Sequence, residues 1–441
     1  MEKVNLETLI EMVGEGLCRR CLGRLFGGAG TGLTNEERGE ALEVALVLLV
    51  EEALESDALK GELKQKAMEV LRRLPRSHHY QEESGEGLCP LCGGLMGRLE
   101  DLVNLVAKSA EGVEFSTFQI GTRVAEDLKE REEALWRKYS LEAPEPIGRE
   151  INREVGRMFS EITGKEFSRE RPEVVFILDV ELFGVERVIS PLFIKGRYRK
   201  LERGIPQTRW PHRECGGRGC EKCNYTGKQY PTSVEEIIGE VMKEASQATN
   251  YKLHGMGRED VDALMLGRGR PFVMELSSPL RRNLDLRALE KEINRRAEGV
   301  VEVEELQYAC REDVRRFKEV RGHKTYRVRI RSLGGELDEE KLKKVLSLLP
   351  SSPIRQRTPE RVRHRRADRV RVRRVYKAAL EELEGSEATI TFVAEGGLYI
   401  KELVHGDGGG TTPSLSSELG VPLEVLQLDV LDVAEESPKE G

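Results

Sequence analysis

Residues 172–180 read Pro-Glu-Val-Val-Phe-Ile-Leu-Asp-Val, a short apolar run opened by a proline and rich in β-branched side chains. It is too short for an amphipathic helix and reads as a strand. Residues 188–194, Val-Ile-Ser-Pro-Leu-Phe-Ile, read as a second. Working outward, residues 126–139 and 149–163 carry helical spacing, so the region from about 97 to 210 alternates helix and strand. Towards the N-terminus, residues 5–16 read as a helix. Residues 35–73 read as two charged amphipathic helices, with Asn35, Glu36 and Glu37 as a capped start. Towards the C-terminus, 324–330 and 388–394 read as strands, and 286–298 and 376–383 as helices. Residues 76–87 read as a polar loop, and 435–441 as a frayed end. The class is α+β, and 441 residues is too long for one core, so the chain is multidomain.

The chain is 38% hydrophobic and 34% charged, with formal net charge −7. That composition supports packed cores and excludes wholesale disorder. The overall acidity excludes a general polyanion binder, so any nucleic-acid surface must be a local patch. The most apolar run, residues 41–50, is far shorter than the ~20 residues that cross a bilayer and contains Glu43. With no basic-then-apolar leader, a cytoplasmic location and no membrane contact are expected.

Eight cysteines in such a chain point to metal or catalysis before disulfides. Cys18 and Cys21 form one C-x-x-C pair, and Cys89-Pro-Leu-Cys92-Gly-Gly another. Each pair puts two thiolates on a tight turn, and together they make a closed Cys₄ site for structural zinc. His212, Cys215, Cys220 and Cys223 offer a second donor set among glycines 216, 217 and 219. A glycine-rich turn without metal is the equal alternative there. Cys310 reads as a core residue.

Residues 355–377 hold eleven Lys or Arg against only Glu360 and Asp368. Arg361, Arg363, Arg365 and Arg366 sit in its middle, and 369–373 alternates Arg and Val like a strand with one basic face. So dense an excess reads as a phosphate-backbone track. Residues 254–262, His-Gly-Met-Gly-Arg-Glu-Asp-Val-Asp, cluster charge just after two glycines, a loop where a carboxylate can approach a ligand. Composition alone reads the same stretch as an ordinary glycine-rich loop. Gly406–Gly410 lacks the Lys-Ser/Thr of a nucleotide-binding loop.

Several stretches together resemble the archaeal and eukaryotic tRNA pseudouridine-54/55 synthases, which modify the T-loop. Residues 17–24 (Leu-Cys-Arg-Arg-Cys-Leu-Gly-Arg) and 32–39 (Gly-Leu-Thr-Asn-Glu-Glu-Arg-Gly) are similar to that family's opening. Residues 118–122 and 196–207 are similar to its THUMP-containing RNA-binding region. Residues 257–262, 324–326, 358–366 and 399–407 resemble its catalytic domain. The order of these motifs spans nearly the whole chain.

The resemblance implies a zinc-stapled helical accessory region over 1–95, a THUMP-like RNA-binding domain over 96–230, and a pseudouridine synthase catalytic domain over 231–441. The last has a mixed, mainly antiparallel sheet. It implies that Asp260 of Gly257-Arg258-Glu259-Asp260 is the nucleophile, with Asp262 second, that Tyr326 packs on the target base, and that Lys401 is the basic partner, a task Arg258 can share. Tyr399 and Leu403 would line the substrate pocket, and Arg361, Arg365 and Arg366 would grip RNA. The implied partner is tRNA, at its T-arm and elbow. No organic cofactor and no protein partner are implied, and a monomer is the default. A zinc-containing tRNA-binding protein or chaperone without catalysis is the alternative. Three departures stand out: His212 where the family often has Cys, Gly408-Gly-Gly410 where an Arg is expected, and Met256 in place of a small residue.

Overall fold

A computed structural model of the chain describes residues 5–74, 88–320, 322–363 and 367–434. The expected loop at 76–87, the frayed end at 435–441, and Arg365 and Arg366 lie outside the described residues. The chain divides into two compact units, Met1–Ser190 and Pro191–Gly441.

In the first unit, helices Leu6–Gly14, Asn35–Glu55 and Gly61–Arg73 bury a small core around Ile10, Met12, Leu46, Val50 and Leu71. The cap of the long helix is Thr34, one residue before the expected start. Its hydroxyl accepts from the Glu37 amide while the Glu37 carboxylate accepts from the Thr34 amide. The short helix Arg19–Arg24 crosses this helix at two glycines. A Cβ on Gly23 would overlap the Asn35 carbonyl, and one on Gly39 the Arg19 carbonyl. That contact needs glycine at both positions. A second core packs helix Ile147–Thr163 on a four-stranded sheet of β1 (Thr117–Arg123), β2 (Glu166–Phe167), β3 (Val174–Asp179) and β4 (Gly184–Ile189), ordered β2-β1-β3-β4. Phe118 and Phe159 meet edge to face at 4.9 Å in its centre.

The run expected as one strand at 188–194 is divided between two. β4 ends at Ile189 and β5 (Leu192–Lys200) begins in the other unit's sheet. Pro191 has no N–H to continue a ladder, so the chain changes sheets there. The stretch from 191 to 230 therefore packs with the C-terminal unit, and the observed division precedes the expected boundary at 230.

The second unit adds β6 (Asn250–Gly255), β7 (Leu264–Ser277), β8 (Val301–Ala309), β9 (Lys324–Ser332), β10 (Ile354–Arg357), β11 (Val370–Arg373), β12 (Val375–Glu384), β13 (Glu387–Ala394), β14 (Thr411–Thr412) and β15 (Leu423–Val433). Its main sheet runs β12-β13-β9-β15-β7-β5-β8, with β6 also on β7. Only the β15–β7 pair is parallel. A small antiparallel sheet, β11-β10-β14, stands apart from it. Residues 376–383, expected as a helix, are edge strand β12. Its Ala, Leu and Glu residues favour helix, but pairing of Ala378 with Phe392 and Leu380 with Ile390 prevails. Register shifts at Val375/Lys377 and Leu380/Glu382 break the two-residue alternation that would have revealed a strand.

Candidate active site

The loop between β6 and β7 carries the acidic motif, and its shape is imposed from below. Gly257 has φ +76°, a backbone conformation strained for any residue with a side chain, so glycine is favoured there. Under the loop lies a buried network. The Arg270 Nε donates to Glu259 Oε2 at 2.8 Å, the Tyr198 hydroxyl donates to Glu259 at 2.9 Å, and Gln207 Nε2 donates to the Tyr198 oxygen (2.8 Å) and the Gly257 carbonyl (3.0 Å). The buried Lys200 ammonium donates to the carbonyls of Ile205 (2.8 Å), Asp260 (3.2 Å) and Val261 (3.1 Å). Burial pulls its pKa down, and the nearby Glu259 and Asp262 oppose that. Glu259 thus faces inward and the next side chain, Asp260, faces outward, 28% exposed.

Asp260 projects into a cleft of about 480 Å³. Arg361, from the short helix Glu360–Arg363, donates to its two oxygens at 3.2 and 3.1 Å and to the buried Glu402 at 2.7 Å. The Lys401 ammonium lies 3.6 Å from Asp260 and 2.7 Å from Asp262 Oδ2. Burial raises the Asp262 carboxyl, and the Lys401 ammonium outweighs this and holds it below its ordinary value. Tyr326, on β9 opposite Phe392 and Val430, lines the same cleft. Burial pushes its hydroxyl up to about 12, with the Asp260 charge adding and Arg270 opposing. Leu398, Ile400 and Val430 supply apolar walls.

The cleft brings together Arg258, Asp260, Tyr326, Arg361, Tyr399 and Lys401. Leu403 is not among its lining residues. It is fully buried on the core side of helix Ile400–His405, and Ile400 takes the position expected of it. Arg361 pairs with carboxylates while its side chain stays 37% exposed. β11 reverses the expected faces. Val370 and Val372 are 59% and 52% exposed, whereas Arg371 donates to Thr358 Oγ1 (2.8 Å) and Arg373 pairs with Glu395 (3.4 Å). Arg361 and Arg371 both lie over the Tyr399 ring, at 5.9 and 6.0 Å. Met256 is buried beside the cleft, its carbonyl accepting from Arg270.

Reading residues missed Lys200, Gln207 and Glu402 as supports. Glu402 carried a signal, an acid within the apolar stretch Ile400, Leu403 and Val404.

Both cysteine groups assemble. The donor atoms of Cys18, Cys21, Cys89 and Cys92 lie within 4.8 Å of one another, as do those of His212, Cys215, Cys220 and Cys223. Cys18 and Cys21 stand at the cap and inside helix Arg19–Arg24, not on a free turn. Tetrahedral zinc with ~2.3 Å bonds to sulfur sets sulfurs about 3.8 Å apart. The Cys18–Cys92 and Cys220–Cys223 separations are 3.9 and 3.7 Å, and His212 Nδ1 is 3.6 Å from Cys220 Sγ. Backbone amides of Cys18, Gly219 and Cys220 donate to Cys89, Cys215 and Cys223 sulfurs at 3.2–3.3 Å, as they would to thiolates. Either group can hold a metal ion.

Among the described residues no helix is long and apolar enough to cross a membrane. Residues 193–434 match the family described as Pus10, C-terminal, and residues 102–179 match the archaeal Pus10 THUMP domain. A tRNA pseudouridine synthase Pus10 of Methanothrix thermoacetophila is 44% identical, covering 97% of this chain and 94% of its own. Those of Methanopyrus kandleri and Methanocaldococcus jannaschii are 42% and 40% identical. They cover 95% and 98% of this chain, and 96% and 94% of their own.

Proposed function

The chain belongs to the Pus10 family of tRNA pseudouridine synthases and is an isomerase of uridines in tRNA, and on that premise we propose that Asp260 is its nucleophile and that T-loop uridines, at positions 54 and/or 55, are its targets. The observation that carries the assignment is the setting of Asp260. It is the carboxylate that Arg361 and Lys401 both face, in the cleft that Tyr326 lines.

The reaction breaks the N1–C1′ bond and forms C5–C1′, with one proton leaving C5 and one reaching N1, so no redox change or group donor is required. The Asp260 carboxylate attacks C1′ as the bonding pair leaves with uracil, or it takes the C2′ proton to the same end. Arg361 and Lys401 hold the carboxylate oriented before attack. Tyr326 stacks on the detached base while it turns, and its protonated hydroxyl relays the C5 proton after C5 bonds C1′. A T-loop uridine is buried in folded tRNA and must be flipped into the cleft. The exposed Arg355, Arg363, Arg369 and Arg374 of the basic stretch hold phosphates, with the T-arm and elbow as the docking region.

Both cysteine groups are assigned structural zinc, since four protein donors leave no open position. The enzyme is assigned as a cytoplasmic monomer. The test incubates the protein with an unmodified tRNA transcript and maps pseudouridine by chemical adduct and primer extension. A T-loop product is expected from the wild type and none from Asp260→Ala. Full activity in that variant would refute the nucleophile.

A further inference from the structure

Outside the cleft, one surface feature of the second unit has no part in the chemistry above. The loop through His212, Cys215, Cys220 and Cys223 is closed at its base by the Pro211–Lys228 bridge and by the His212 amide donating to the Gly227 carbonyl at 2.8 Å. At its tip Asn224 and Tyr225 both have positive φ, +49° and +59°. An aromatic residue seldom adopts this backbone, because its Cβ crowds the carbonyl. The conformation is held from two sides. The Tyr225 amide donates to the Cys220 carbonyl at 2.8 Å, and a Cβ on Gly219 would come within 2.7 Å of the Tyr225 carbonyl. Yet the side chain so held packs on little, being 73% exposed. Backbone strain spent on an outward-facing ring fits a contact surface better than a core.

The surroundings are basic. Residues 209–230 hold five Lys or Arg and two Glu, and Arg209, Arg213 and Arg218 are exposed. Lys222 is paired with Glu214 at 2.7 Å and Lys228 with Glu236 at 2.5 Å, which leaves Arg209, Arg213 and Arg218 against Glu221. The loop is rooted beside the catalytic loop. Gln207 donates to the Gly257 carbonyl at 3.0 Å, and Thr208 accepts from Arg258 at 3.4 Å. An RNA in the cleft therefore passes near this root.

We infer that the loop is a nucleobase platform. Tyr225 stacks on the base of an unpaired nucleotide of the substrate tRNA, and Arg209, Arg213 and Arg218 lie along its phosphates. This deepens the reading that the cleft acts on tRNA.

The test measures the dissociation constant of an unmodified tRNA transcript for the full-length, metal-loaded protein. A stacked base is worth roughly 5- to 100-fold in affinity. Tyr225→Ala is expected to weaken binding in that range without changing the salt slope, and Tyr225→Phe to restore it, since stacking needs only the ring. Tyr225→Gly separates function from structure. It relieves the left-handed strain, so its melting temperature rises while its tRNA affinity falls. Wild-type affinity in both Tyr225→Ala and Tyr225→Gly would overturn the platform. Tyr225-dependent binding without T-loop product would instead overturn the proposed targets and leave the platform standing.

Discussion

Arg361 donates through Nη1 to both carboxylate oxygens of Asp260, at 3.2 and 3.1 Å. Its Nε holds the buried Glu402 at 2.7 Å, so the guanidinium is clamped between two acids. A cation held this way fixes the orientation of the Asp260 carboxylate, the proposed nucleophile. Arg361→Ala is therefore expected to lower kcat by about 10²-fold, with a small change in KM, in single-turnover and steady-state assays on tRNA. A rise in KM with a shallower salt dependence, and kcat intact, would return Arg361 to the backbone track. Arg355→Ala or Arg369→Ala should give that second pattern.

The Tyr326 hydroxyl, pushed up to about 12 by burial and the Asp260 charge, keeps its proton throughout the neutral range. Because its folded value lies above the unfolded ~10, its contribution to stability is full below about pH 10. It is lost as pH rises towards 12. The stability difference between wild type and Tyr326→Phe should be flat from pH 6 to about 9.5 and should change only above it, as read by urea unfolding. Tyr326→Phe should lower kcat about 10- to 100-fold through the lost proton relay. Tyr326→Ala should lower it further by removing the stacking surface. Equal activity of Phe and wild type would assign the relay elsewhere.

The motif at 257–262 was legible as a line of residues, but not as a direction in space. That Glu259 points down and Asp260 out follows from Arg270, Tyr198 and Lys200, which reach the loop from β7 and β5. Such pairings span from 11 to 61 residues and leave no local pattern. Helices of the first unit were readable because capping and apolar period are local, to within the step from Asn35 to Thr34. Strand β12 was not, because its bulges erase the alternation and only its neighbour β13 makes it a strand. The basic stretch was legible as charge. Which arginines face solvent was decided by Thr358, Glu395, Asp260 and Glu402, partners that lie up to 101 residues away.

Two donor groups with near-tetrahedral spacing predict two metal ions per chain. Zinc measured by mass spectrometry on the purified protein should approach two. Cys220→Ser should remove one ion, and Cys89→Ser should remove the other. The Cys89 and Cys92 thiols sit in the second core of the first unit, so losing their ion exposes a packed region. A strong chelator should therefore lower the melting temperature of the wild type, and Cys89→Ser should do so more than Cys220→Ser. A wild-type count of one would remove the assignment for the His212 group, and a count of zero would remove both.

Glu150 gives the first unit its own pH dependence. Its side chain is fully buried and neither oxygen accepts a hydrogen bond among the described residues, with the Arg20 guanidinium 3.7 Å away. Burial raises its pKa to about 7, and the nearby Asn35 amide, with Arg24, Arg20 and Arg153, only partly opposes this. The folded value lies above the unfolded value of 4.5, so the stabilising form is the protonated one. Stability from this group is full below about pH 4.5 and declines as pH rises to about 7, then stays level. Glu150→Gln keeps the shape without the ionisable proton and removes that decline. It should stabilise the protein at pH 8 by on the order of 1–3 kcal/mol, and change little at pH 4.5. Melting temperatures of the two proteins from pH 4.5 to 8 measure this directly. A Glu150→Gln variant less stable than wild type at pH 8 would mean that the charged carboxylate, paired with Arg20, is the stabilising form.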